Sequence, residues 1–362
     1  MDILQKAKIL SSEGKYDSCG PKACQVNIKS GLGGIYHAKA EHKTCRIFKT
    51  LMNNSCSFDC KYCSNSNNCA KKKVAYKPNE LAKIFNHLHK KLDVNGLFLS
   101  SGVAGNSDKA TEQMIESVKI LRTKHNFKGY IHFKALPGVS KHLLKEAAEY
   151  STRMSINIES PNKSVMGELS DCKDFKIDIL RRQAWIKRLN LKAGQSTQMI
   201  ISKYSTDKDI LKMVDWEYEA FNMKRMYFSS FRPVKGTKME KEKAEPLHRE
   251  AHLYNIDFLV KKYDYKFKEF KQILNDDMLP NCDPKLALAR ETFEGRIDIN
   301  EASYEELIRI PGIGPQTAKT IVALKGKIKK FEHLHNMGAW VNIAKPFIEV
   351  CGKRQMTIGE FV

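Results

Sequence analysis

Three cysteines in the run Cys56-Ser57-Phe58-Asp59-Cys60-Lys61-Tyr62-Cys63 restrict this chain more than any other feature. Thiolates are soft ligands for iron–sulfur clusters, and four of them normally fill a cubane. A C-x3-C-x2-C loop brings three to one cluster and leaves one iron without a protein ligand. An open metal position is where a small molecule binds and reacts, the logic that separates catalytic from structural zinc sites. A zinc knuckle is the competing use of such a loop. Seven of the ten cysteines lie between Cys19 and Cys69, a concentration that points to metal rather than to a disulfide framework. Cys19, Cys24, Cys45 and Cys69 flank the triad and are candidates for an auxiliary iron–sulfur cluster or a zinc ion; reduced, partly buried thiols are the alternative. Cys172, Cys282 and Cys351 stand alone and read as buried bystanders, with hydrogen donation to a substrate radical as the alternative for one of them.

Downstream of the loop, short apolar runs alternate with amphipathic stretches. The runs are Gly96–Ser101, Tyr130–Ala135, Met154–Glu159, Gln198–Ser202 and Arg225–Phe231. Apolar residues at helical spacing predict helices over Pro78–Leu92, Thr111–His125, Lys141–Tyr150, Lys176–Leu189 and Asp207–Phe221. Buried strands separated by helices imply βα units and a parallel sheet. With Thr50–Asn54 leading into the cysteine loop, there are about six such units. The expected fold class is α/β, a partial (β/α)6 barrel over residues 51–235. A cysteine-bearing extension over 1–50 precedes it; a lysine-rich helical connecting layer over 236–294 and a small all-α domain over 295–362 follow. Chemistry in such barrels gathers at the C-terminal ends of the strands, the face onto which the cysteine loop emerges. Lys134 interrupts an apolar strand; pointing into a barrel it needs a counter-charge, and Glu159 is the candidate.

The last domain centres on Ile308-Arg309-Ile310-Pro311-Gly312-Ile313-Gly314-Pro315-Gln316-Thr317-Ala318. A two-glycine hairpin lets backbone approach a phosphate closely, and its amides join the next helix N-terminus in an anion-binding nest. Gly312, Ile313 and Gly314 are the candidate contacts, with Lys319 on the helix behind and Lys325, Lys327, Lys329 and Lys330 adding a basic run. Such contacts grip phosphates without reading bases. A helical hairpin used for protein docking is the alternative. Phe331–Val350, including Leu334 and Trp340, is expected to pack as a second, degenerate hairpin, with Trp340 in the core rather than serving as a base-stacking platform. A net charge of +21 points to a polyanionic partner, nucleic acid before membrane. No apolar stretch approaches the ~18 residues of a membrane span. Met1–Lys6 opens no apolar signal core, and with ten cysteines a reducing cytoplasm is the expected location.

The cysteine spacing resembles the signature of the radical S-adenosylmethionine (SAM) superfamily, and the glycine hairpin resembles a helix-hairpin-helix DNA-binding module. Together with the cysteine-bearing extension they resemble a bacterial family of DNA modification or repair radical SAM proteins linked with a uracil-DNA-glycosylase-like partner. The shared features include Cys45-Arg46, the cluster loop, Gly96–Gly102, Gly129–His132, Asn157–Glu159 and Gly194–Met199. The resemblance implies a 4Fe–4S cluster on Cys56, Cys60 and Cys63, with SAM on the remaining iron. Ser100, Ser101 and Gly102 stand where such proteins meet the amino group of SAM, although the usual form there is Gly-Gly-Glu. Asn157 and Glu159 stand where ribose contacts occur, sharing a face by strand alternation. Gln198, Ser229, Ser230 and Arg232 are candidates for adenine, carboxylate or substrate, and no catalytic residue is assigned. The implied partners are DNA, the glycosylase-like protein and an electron donor such as flavodoxin or ferredoxin. The rival readings are an RNA-modifying radical SAM enzyme and a non-catalytic cluster protein that senses redox state or serves as a partner scaffold.

Overall fold

The computed structural model describes residues 1–14, 33–40 and 43–352. They fall into two units, Met1–Ser205 with Lys212–Pro246, and Thr206–Leu211 with the chain from Leu247 onward. The first unit is built on a seven-stranded sheet whose spatial order is its chain order: β1 (Ile35–Ala40), β2 (Lys43–Leu51), β3 (Gly96–Ser100), β4 (Tyr130–Lys134), β5 (Arg153–Ser155), β6 (Gln195–Ile201) and β7 (Arg225–Ser230). β2 to β7 run parallel, and β1 returns antiparallel along β2. The sheet curls into a partial (β/α)6 barrel with one extra strand at its edge.

Helices α1 (Ile3–Glu13), α2 (Pro78–Leu92), α3 (Ser107–Thr123), α4 (Lys141–Tyr150), α5 (Lys163–Leu169), α6 (Arg181–Lys187) and α7 (Asp207–Phe221) accompany the strands. Local chemistry sets their ends. In α2, Pro78 opens the first turn, Glu80 Oε2 accepts the Lys77 N–H at 2.7 Å, and Asp93 closes it at φ 50°. Its Leu81, Ile84, Phe85 and Leu88 recur on one face and are buried. α3 begins at Ser107 rather than Thr111 because Asn106 Oδ1 caps it through the Lys109 N–H at 2.9 Å.

Three expectations change. The extension supplies α1, β1 and most of β2, whose strand pattern is masked by Lys43, Arg46 and Lys49. Lys49 is nevertheless only 5% exposed, its ammonium 5.0 Å from the Tyr36 ring centroid and 5.3 Å from that of Phe98. The run Met154–Glu159 is not one strand: β5 ends at Ser155 and pairing resumes at Glu159. Between them Thr197 Oγ1 donates to Ile156 O at 2.8 Å and accepts the Ile158 N–H at 2.9 Å, replacing the missing ladder bonds. Helix Lys176–Leu189 becomes a π-helical run, Phe175–Leu180, followed by α6. Buried Arg182 donates to the carbonyls of Ile177, Val139 and Gly138, tying that widened turn to its neighbours.

The second unit contains α8 (Leu247–Lys262), a 3-10 turn at Phe267–Ile273, α9 (Pro284–Thr292), β8 (Ile297–Asp298), α10 (Tyr304–Arg309), α11 (Pro315–Ala323), α12 (Phe331–Asn336), α13 (Val341–Ala344) and β9 (Ile348–Glu349). Leu307, Ile310, Ile313, Ala318, Leu334 and Ala344 form the centre of its helical core, and β8 pairs with β9. A buried ion pair, Arg249 Nε to Asp207 Oδ1 at 2.7 Å, is completed by the Leu279 N–H to Asp207 Oδ2 at 2.9 Å. No helix among the described residues is long and apolar enough to cross a membrane.

Candidate functional site

Beyond β2 the chain turns into the cysteine loop, and hydrogen bonds to the β3 end hold it there. The Met52 N–H donates to Ser100 O at 2.7 Å, Gly102 N–H to Asn53 O at 2.7 Å, and Ser57 N–H to Val103 O at 2.7 Å. Gly102 has a steric role: a Cβ at this position would lie 2.3 Å from Ser55 O and 2.9 Å from Ser55 C. Only glycine lets the loop backbone pass. On the far side, Asp59 accepts from Ser170 Oγ at 2.6 Å, the Asp171 N–H at 3.0 Å and Cys172 Sγ at 2.9 Å. Burial opposes ionisation of Asp59, but these hydrogen bonds outweigh it and hold its carboxyl below the usual range. Lys71 Nζ reaches Glu13 at the end of α1, 2.7 Å away, and Ser64 Oγ at 3.3 Å.

Cys56, Cys60 and Cys63 are free thiols and line one cavity of about 730 Å³. The Asn65 N–H donates to Cys63 Sγ at 3.4 Å. Burial pushes the Cys63 thiol up to about 12, and the Cys60 and Cys56 sulfurs push the same way. Three thiolates here therefore call for a cationic group among them. Among the described residues, no three His, Cys, Asp or Glu side chains converge on one ion's position. A single zinc would draw its thiolates to about 2.3 Å, whereas a cubane takes each on a separate iron. The donor set, three soft thiolates from one loop, fits a cluster that takes each on a separate iron.

Ser100, Ser101, Gly102, Lys134, Asn157, Glu159, Gln198, Ser229, Ser230 and Arg232 line the same cavity as the triad. Glu159 holds φ 63°, a strained backbone for a side chain with a Cβ. Tyr62 donates its hydroxyl to Glu159, and burial, reinforced by that carboxylate, pushes the phenol well up. Lys173, in the same wall, lies against Cys60 and Glu159, with its ammonium 5.5 Å from the Phe58 ring centroid. Burial disfavours its charge, but the Cys60 sulfur and the Glu159 carboxylate outweigh that and hold it protonated. Lys173, Lys49 and the end of α1 had no distinctive spacing to mark them. Tyr62 stood inside the motif, but its partner is distant in sequence.

Cys45 and Cys69, the two described members of the proposed auxiliary quartet, do not come together. Cys45 lies at the start of β2, the opposite end from the cluster loop, packed with Tyr36, Ile47, Phe98 and Tyr130. Cys69 is buried and donates to Gly236 O at 2.9 Å. Six strand residues, roughly 20 Å, separate Cys45 from the loop face. Cys19 and Cys24 lie outside the described residues. Cys172 and Cys351 are exposed and Cys282 half-buried, so none is a core bystander.

In the second unit, Ser303 and Glu306 cap α10 reciprocally, and the chain turns through Ile310–Gly314 into α11. Gly312 has φ 83°, and its C=O accepts the Trp340 N–H at 2.9 Å. Gly314 caps α11 without a side-chain hydrogen bond, Pro315 follows, and the first-turn amides lack a side-chain partner there. Ile313 departs from expectation. Its side chain is 1% exposed in the core and its N–H donates to Ile310 O at 3.1 Å, while its C=O accepts Lys285 Nζ at 2.7 Å. Lys319 is exposed on α11; Lys325 is exposed but donates to Glu301 O at 3.0 Å. The second hairpin forms as expected between α12 and α13, with Leu334 buried. Trp340, expected in the core, is instead 71% exposed. A Cβ at Gly312 would lie 2.5 Å from Trp340 O. Gly312→Ala should therefore lower the melting temperature of the second unit by several degrees, as read by calorimetry; an unchanged transition would show that the two hairpins tolerate separation.

Residues 50–216 match a family model described as the radical SAM superfamily, and residues 293–350 match a helix-hairpin-helix motif. No curated protein matches the chain. Among solved structures, a methylornithine synthase is 12% identical, covers 55% of this chain and 57% of its own, and has a TM-score of 0.48. A FeFe-hydrogenase maturase from Carboxydothermus hydrogenoformans is 13% identical over 56% of this chain and 47% of its own, with a TM-score of 0.45. Coproporphyrinogen III oxidase from Escherichia coli is 14% identical over 59% and 52%, with a TM-score of 0.39. The matched region spans about half the length of each of these proteins. The cysteine loop, the curled parallel sheet and the glycine hairpin agree with the two family matches: the chain carries a radical SAM superfamily domain over residues 50–216 and a helix-hairpin-helix motif over residues 293–350.

Proposed function

We propose that the chain is a radical SAM enzyme that modifies or repairs a nucleotide of DNA. One observation carries this reading: three free cysteines of one loop share a cavity with polar groups from successive strand ends, in a chain that also bears a glycine hairpin and a net charge of +21. Cys56, Cys60 and Cys63 hold a 4Fe–4S cluster. Ser100, Ser101 and Gly102 meet the amino group of SAM, Asn157 and Glu159 its ribose, and Gln198, Ser229, Ser230 and Arg232 its adenine, its carboxylate or the substrate. With a reduced cluster and SAM bound, the site would supply radical chemistry that removes a hydrogen atom from substrate.

The rest of the work belongs to this chain. Tyr62 orients the Glu159 carboxylate by a hydrogen bond, Lys173 sets positive charge beside Cys60, and Asp59 anchors the loop from behind. Gly312, Gly314, the first turn of α11, Lys319 and Lys325 grip backbone phosphates. A base reaches the cavity only out of its stack or from a single strand. An electron donor such as flavodoxin or ferredoxin and a uracil-DNA-glycosylase-like protein are the expected partners. The test is anaerobic reconstitution with iron and sulfide, then dithionite and SAM, with 5′-deoxyadenosine measured with and without DNA. Product that rises with DNA and not with RNA at matched salt supports the reading. An intact reduced cluster that never cleaves SAM would overturn it in favour of a non-catalytic cluster protein.

A further inference from the structure

The helix-hairpin-helix motif accounts for phosphate contacts but not for Trp340. This indole is 71% exposed, the highest value among the large hydrophobic side chains of the described residues, and Ile343, one turn on, is 38% exposed. The backbone beneath it is rigidly placed. The Trp340 N–H donates to Gly312 O at 2.9 Å, and no atom the size of a Cβ fits between Gly312 and Trp340 O. Thr317 Oγ1 on α11 donates to Met337 O at 3.3 Å, so the second hairpin is fastened to the first at two points. The exposed ring therefore stands directly beside the turn that leads into the uncapped first turn of α11. The sequence around it is cationic: between Pro315 and Phe347 the chain has Lys319, Lys325, Lys327, Lys329, Lys330 and Lys345 against the single carboxylate of Glu332.

We propose that Trp340 is a stacking platform for an unpaired base, so that this unit binds single-stranded or locally opened nucleic acid rather than uninterrupted duplex. The inference rests on the nucleic-acid reading of the hairpin and extends it. A hairpin that contacts only phosphates treats every duplex alike. An exposed aromatic ring on a fixed backbone offers a face to a base only when that base has left its stack, and every base has such a face. The partner is chosen by charge: an exposed aromatic ring in a lysine-rich segment fits the alternation of base and phosphate along a strand. A strand held open here matches the requirement that a base leave the helix before any chemistry on it.

The test uses the full chain and labelled oligonucleotides of about 16 nucleotides, as single strand and as blunt duplex, in anisotropy titrations over a range of salt. Trp340→Ala should weaken single-strand binding roughly tenfold or more. Duplex binding should change less than twofold, and the salt slope of both should stay the same, because no phosphate contact is lost. Trp340→Phe should recover most of the loss. Single strand should also quench tryptophan emission in wild type and far less in Trp340→Ala, which retains Trp185 and Trp216. Because the side chain is exposed, both variants should melt with wild type. Equal weakening of strand and duplex, or no weakening of either, overturns the platform while leaving phosphate binding intact. Failure of the wild-type chain to bind either probe removes the nucleic-acid reading itself, and the platform with it.

Discussion

Gly102→Ala will leave the barrel folded but without its cluster, as completely as Cys60→Ala. The two variants fail for different reasons. Cys60→Ala removes one of three thiolates, and two cannot hold a cubane against loss to solvent. Gly102→Ala keeps all three but drives a methyl group into Ser55 O, 2.3 Å from the position its carbon must take. Backbone atoms cannot swing aside as a side-chain tip can, so the segment between Asn53 and Cys56 must move. Loop displacement of an ångström separates Cys56 from Cys60 and Cys63, which Asp59 and its Ser170, Asp171 and Cys172 partners hold in place. Reconstituted wild type should carry about four irons per chain with the visible absorbance of a cluster, and either variant under about one. Circular dichroism should show the sheet and helices unchanged in both. A Gly102→Ala protein with full iron content would show that the loop is not tied to that glycine.

Glu217→Gln should stabilise the chain by several kcal/mol at pH 8 and by almost nothing below pH 4.5. Glu217 lies on α7, fully buried beside Gln183, and neither carboxyl oxygen has a well-formed hydrogen bond among the described residues. Burial raises its carboxyl from the ordinary 4.5 to about 8. Below pH 4.5 both folded and unfolded chains hold the proton, and the group costs nothing. As pH rises from 4.5 to 8 the unfolded chain releases it while the folded chain keeps it, so stability falls. The full loss, reached above pH 8, is about 5 kcal/mol at most, from 1.4 kcal/mol per pH unit. Glutamine has the same shape and never ionises, and its amide brings a donor among acceptors. Denaturant midpoints of variant and wild type should diverge steadily across this window. Parallel curves would show that Glu217 is solvated or paired.

Much of the candidate site was legible because its signals are local. Cysteine spacing names a ligand set, since soft thiolates three and four residues apart on a loop have few uses. The glycine hairpin names a close backbone approach. Apolar periodicity placed α2, α4 and α7 at their observed limits, because buried faces and caps act within a few residues. Polar residues at the strand ends were named from the family resemblance, with alternation used only for Asn157 and Glu159, and they share one cavity although the strand carrying that pair is interrupted. That interruption was hidden because Thr197, the hydroxyl that replaces the ladder bonds, belongs to a different strand.

What the sequence determined by itself was the class of chemistry and the order of the βα units, both written in spacing and periodicity. Tertiary structure alone decided which long-range partners complete them. Lys173 reaches Cys60 and Glu159, Gly102 makes room for Ser55, and Cys45 is carried to the end of the sheet away from Cys69. It also turned Ile313 into the core and Trp340 out of it. Two apolar residues near two similar hairpins are equivalent by pattern. They differ because the backbone of Trp340 is pressed against Gly312, which leaves its side chain only solvent to enter, while Ile313 faces a core that Leu307, Ala318 and Leu334 enclose. Such outcomes depend on contacts between residues far apart in the chain, and those exist only once the chain has folded.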